Sequence, residues 1–145
     1  MTEQPDITNS LRGKYGHTLL MRGATRGDTR IVFLLSKREH DFSVVGNQGE
    51  NVLYTIAGSN SDDVSLELFN SIDATQISGI INNREVEGDQ DTPLHEATWS
   101  NKHKSTVWLL QHGADPSIED YHGNRPGDYV KCDDETKRLV RSFRE

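Results

Sequence analysis

Six histidines and one cysteine are the residues best suited to catalysis or metal binding, and their spacing decides whether they can act together. His17, His40, His95, His103, His112 and His122 are scattered along the chain, and no pair has i,i+4 helical spacing with a third ligand nearby. Cys132 stands alone, which excludes an internal disulfide and a cysteine-rich zinc site. With no base in register beside it, it reads as an ordinary surface or half-buried residue rather than a nucleophile. A glycine-rich phosphate loop and a recognisable carboxylate pair are also missing. The expectation is a protein that is not an enzyme, with no catalytic, metal or cofactor residues.

Charge is more informative. The 145 residues carry 16 Lys+Arg against 23 Asp+Glu, a formal net charge of −7, and only 32% are hydrophobic. So low an apolar content leaves two readings, a largely unstructured chain or a fold with a thin core. A net negative chain is a poor general binder of nucleic acid. No apolar window is long enough for a membrane span, and no basic region followed by an apolar one opens the sequence. A cytoplasmic or nuclear location is therefore expected, without membrane partners. The charges are also segregated: Arg12 to Arg38 is basic apart from Asp28, whereas Glu85 to Glu135 is strongly acidic. Arg22, Arg26 and Arg30 recur every four residues and would form a basic ridge on the first repeat's helices. Such runs are either solvated faces or one pole of a groove that orients a charged, extended partner.

The elements that must carry these residues repeat. The stretches beginning at Gly16, Gly49, Gln90 and Gly123 overlay with apolar and glycine positions in register. In the third, Thr92-Pro93-Leu94-His95 is followed by Ala97, Leu109-Leu110 and Gly113-Ala114-Asp115. Thr92 suits an N-cap and Pro93 the first helical position. Leu94, Ala97 and Thr98 then share one face, and Asn101 stands where a left-handed residue should stop the helix. A second helix, about Ser105 to His112, is expected to bury Val107, Trp108 and Leu109 before Gly113 ends it.

This pattern resembles the ankyrin repeat over about residues 14–143, most closely in the third unit. The resemblance implies an all-α solenoid of stacked helix-turn-helix units with β-turn or hairpin fingers. Residues 1–13 read as a flexible tail and 14–145 as the repeat domain. Its units are about 14–46, 47–87 with an insertion near 70–89, 88–120, and 121–145 as a C-terminal cap. Asp73 could cap a short helix in the insertion, with Ile77, Ile80 and Ile81 on one side, covering a flank of the stack or re-aiming a finger. Near the end, Gly127 replaces the usual Leu and Asp133 is spaced to pair with Lys137. His95 takes the place of a structural histidine that binds its own Thr and the neighbouring loop.

Carried over by position, the partner-facing residues are Arg22, Thr25, Arg26, Gly58, Ser59, Trp99, Ser100, Cys132 and Asp133 on first helices. On the fingers they are Asn47, Gln48 and Glu50, then Asp89 and Asp91, then Tyr121, His122 and Asn124. Trp99, expected beside Tyr121 and His122, is the anchor candidate, since exposed aromatics dominate interface energetics. The implied function is a non-catalytic protein-protein interaction module, a monomeric intracellular regulator or inhibitor whose partner offers a charged extended segment. Free-standing inhibitors of Rel-type transcription factors are one such class. The alternative is a sensor of a small anionic ligand or nucleic acid, bound through the basic first repeat.

Overall fold

The computed structural model describes residues 19–36, 46–72, 74–86 and 88–144. The expected tail, the start of the first unit at Gly16 to Thr18, His40 and Asp73 lie outside the described residues. Three helix pairs follow one another: Leu19–Thr25 (α1) with Thr29–Ser36 (α2), Val52–Gly58 (α3) with Asp62–Ser71 (α4), and, after a short Ala74–Ile77 (α5), Pro93–Trp99 (α6) with His103–Gln111 (α7). Asp134–Arg144 (α8) closes the stack. Helices α1, α3 and α6 pack as one row, and α2, α4, α7 and α8 as a second. No strand occurs among the described residues, and the fold is an all-α repeat solenoid.

Each pair reverses at a left-handed residue: Gly27 at φ 71°, Asn60 at φ 73° and Asn101 at φ 54°. Asparagine is among the few side chains that tolerate this conformation. Here it also ties units together, because Asn60 Nδ2 donates to the Ala24 carbonyl at 2.7 Å and Asn101 Nδ2 to the Lys131 carbonyl at 3.1 Å. Lys102 is a third tie. Its buried ammonium donates to the carbonyls of Ala57 and Ser59 and to Ser65 Oγ, at 2.7, 2.9 and 3.3 Å.

The core is a narrow stripe. Ala24, Ala57 and Ala97 are fully buried in the first row and let successive helices approach closely, while Leu53, Ile56, Leu68, Phe69, Leu94 and Leu109 fill the space between rows. Trp108 is buried and stacks on Phe69 with ring centroids 4.6 Å apart. Val107, expected inside, is half-exposed and Leu110 is buried instead. In the insertion Ile72, Ile77, Ile80 and Ile81 are buried, and the Asn51 side chain donates to the Ile80 carbonyl at 2.8 Å. The segment is thus part of the core, and Asn82 fastens it to the next unit through the Gly113 carbonyl and the Asp115 N–H.

The last unit departs from the expectation of a first helix. Residues 125–131 hold turns and no helix; within them Gly127 adopts φ 88°, and a Cβ there would come within 3.1 Å of Val140 Cγ2. Cys132 and Asp133 therefore occupy no first-helix position. Cys132 is buried and its thiol donates to the Thr98 carbonyl, so it is not a partner-facing residue. Asp133 precedes α8 and accepts the Thr136 N–H at 2.8 Å, which helps hold its carboxyl at about 2. His103 also pairs with it at 2.9 Å, in place of the expected Lys137.

Candidate functional site

Three fingers project from the helix stack, each closed by a backbone hydrogen bond: Gly46 N–H to Glu50, Glu85 N–H to Asp91 and Asp120 N–H to Asn124, at 2.9, 3.0 and 2.8 Å. Adjacent fingers are joined by Val86 N–H to the Gln48 carbonyl at 2.7 Å and Tyr121 N–H to the Asp89 carbonyl at 2.8 Å. The tips Asn47, Gln48, Asp89, Tyr121 and His122 are exposed. Glu50 is corrected: it is buried, and its Oε2 accepts the Gln48 N–H at 3.0 Å, so it braces the finger and does not face a partner.

His95 locks the third finger to α6. Its Nδ1 accepts the Thr92 N–H at 3.0 Å, and its Nε2 lies 2.9 Å from the Asn124 carbonyl and must carry the proton. Thr92 Oγ1 in turn accepts the His95 N–H, completing a reciprocal cap at the start of α6. Burial pushes the imidazole down from its ordinary value and keeps it neutral. Asp91, His95 and Asp120 bring possible ligand atoms within 4.8 Å of one another. With both ring nitrogens already engaged, a cation there would have to break the lock.

Beside this lock lies an acidic and aromatic cluster. Trp99 is 45% exposed, with Tyr129 edge-on at 4.9 Å and the Lys131 ammonium over its ring at 4.2 Å. The Tyr129 hydroxyl donates to Asp120 at 2.8 Å and reaches Asp91 at 3.3 Å. Burial first, then the charges of Asp120, Glu85, Glu96 and Asp89, push Asp91 up to about 7. Burial also raises Glu96, one turn before Trp99 on α6, although Tyr54, Lys102 and Lys131 partly oppose it. For Asp120 burial pulls upward, but hydrogen bonds from Asn124, Tyr129 and His122 win and its pKa is lowered. A Cβ at Gly58 would meet Glu96 Oε1 at 3.0 Å, so the glycine at the end of α3 makes room for this carboxylate.

The structure brings Asp91, Trp99 and the third-finger residues to one side, and it separates others. Arg22 lies on α1, Arg26 in the turn and Arg30 on α2, all exposed on the first helix pair. Thr25 and Ser100 are exposed and Ser59 half-buried at helix ends. His122 pairs with Asp89 at 3.0 Å and sits edge-on to Tyr121 at 5.4 Å, whereas Trp99 meets Tyr129. Asn124 is half-buried, with its carbonyl taken by His95. Tyr54, Glu96, Tyr129 and Lys131 went unnoticed in the sequence. Only Glu96 carried a signal, its i−3 spacing from Trp99 on one helix.

The family model described as ankyrin repeats (3 copies) matches residues 20–120, more than half the chain and all three helix pairs. Proteins of this family generally bind other proteins and are typically not catalytic. Among the described residues no helix is long and apolar enough to cross a membrane. The helix pairs, the left-handed turns, the Thr92–His95 lock and the matched span agree: the chain belongs to the ankyrin-repeat family.

Proposed function

We propose that the protein is a regulator that binds a partner protein along the groove and finger tips and acts by occlusion, without chemistry of its own. The observation that carries this reading is Trp99, a large aromatic held half-exposed at the end of α6 against Tyr129 and Lys131. An inhibitor of Rel-type transcription factors is the specific instance suggested by the likeness to short ankyrin proteins. The test is affinity capture from the native cell with the wild type and Trp99→Ala, followed by quantitative binding to the partner so identified. A loss of about 2 kcal/mol or more with an unchanged melting temperature supports the reading, and unchanged affinity removes Trp99 from the interface. The alternative, an anion sensor, would use Arg22, Arg26 and Arg30, which lie exposed on α1, the turn and α2.

A further inference from the structure

The groove around Trp99 holds an internal cation but has negative charge to spare. Lys131 places its ammonium 4.2 Å from the centre of the Trp99 ring, which shows that the ring face is open to a cation and oriented for it. Glu85, Asp89, Asp91, Glu96 and Asp120, from two fingers and α6, lie close enough to act on one another, and Tyr129, edge-on to Trp99, joins this cluster through its hydroxyl on Asp120 and Asp91. Among the described residues no lysine or arginine lies within 4.0 Å ion-pair distance of Asp91, Glu96 or Asp120. Burial is the first cause of the upward push on Asp91 and Glu96; neighbouring carboxylates add to it at Asp91, whereas Lys102 and Lys131 oppose it at Glu96. Tyr121, on the third finger, is 70% exposed, and the finger tips are open to solvent.

We infer that this groove seats an extended cationic segment of a partner protein, one lysine or arginine of which displaces Lys131 from the face of Trp99 beside Glu96. The inference rests on the partner-binding reading above and names the chemistry of the partner. Charge complementarity selects a cationic guest, and the aromatic faces of Trp99 and Tyr129 would cover the aliphatic stem. Lys131 thus fills the seat in the free protein and competes with the guest.

The experiment uses the full chain and a short fluorescein-labelled peptide of alternating arginine and serine, with an alternating glutamate and serine peptide as control, read by anisotropy at low salt. The arginine peptide should bind and the glutamate peptide should not. Trp99→Leu and Glu96→Gln, each with an unchanged melting temperature, should weaken binding about tenfold. Lys131→Met should tighten it severalfold, which a merely structural lysine would not do. Unchanged binding in Glu96→Gln, no gain in Lys131→Met, or equal competition by spermine overturns the inference. If capture of the native partner depends on Trp99 while these peptide results fail, the inference falls and the partner-binding reading stands. If capture is independent of Trp99, that reading falls as well.

Discussion

His95 shows how a residue suited to chemistry is consumed by architecture. Its two ring nitrogens join the start of α6 to the third finger, and the buried imidazole has no spare lone pair. His95→Ala should therefore cost about 3 kcal/mol in chemical denaturation, because it leaves the Thr92 N–H and the Asn124 carbonyl unpaired and a cavity behind. Asp91 is the opposite case, a carboxyl the fold would rather keep neutral. Its folded pKa of about 7 lies above the ordinary value of 3.8, so the folded state holds the extra proton between those values. Its contribution to stability is fully present below 3.8 and is lost progressively as pH rises from there to about 7. Asp91→Asn should raise the melting temperature by a few degrees at about pH 8 and change it little at about pH 3.5; an equal effect at both would contradict the assignment. The motif around His95 was legible because Thr92-Pro93-Leu94-His95 is contiguous. The Asp91 environment was not, since it depends on Asp120 and Tyr129, far along the chain.

At the scale of elements, the units are joined as much by polar ties as by apolar packing. Lys102 donates three hydrogen bonds, to the end of α3, the turn after it and α4, and burial lowers its pKa. Lys102→Met preserves the stem but abandons two carbonyls and a hydroxyl, and should cost about 3 kcal/mol by urea unfolding. A loss below about 0.5 kcal/mol would show that water replaces the ammonium. Helix ends follow the same logic: Asp62 Oδ1 accepts the Ser105 N–H at 2.9 Å and so caps α7 from the preceding unit. The helix pairs could be read from periodicity and capping residues. The missing first helix of the last unit could not be fully read, although Gly127 was noticed. Whether glycine merely replaces Leu within a helix or breaks it depends on φ 88° and on the approach of Val140.

For the whole molecule, a stack with neighbour-only contacts should unfold from its less supported end. In the first described pair, α2 leaves Ile31 and Leu34 exposed, whereas α4 and α7 are flanked on both sides. Amide exchange should accordingly be faster in α1 and α2 than in α3 and α6; uniform protection would indicate a single cooperative block. The low apolar content that first suggested disorder suits this architecture, because a narrow stripe of small and branched residues suffices for each unit. One consequence of the stack is optical. The chain has two tryptophans, and they occupy contrasting surroundings: Trp108 lies 6% exposed between Phe69 and His112, while Trp99 faces solvent at 45%. Emission from Trp108 then follows unfolding and emission from Trp99 follows occupation of the groove. Substituting each in turn by Phe gives two unlabelled fluorescence channels, one for integrity and one for binding.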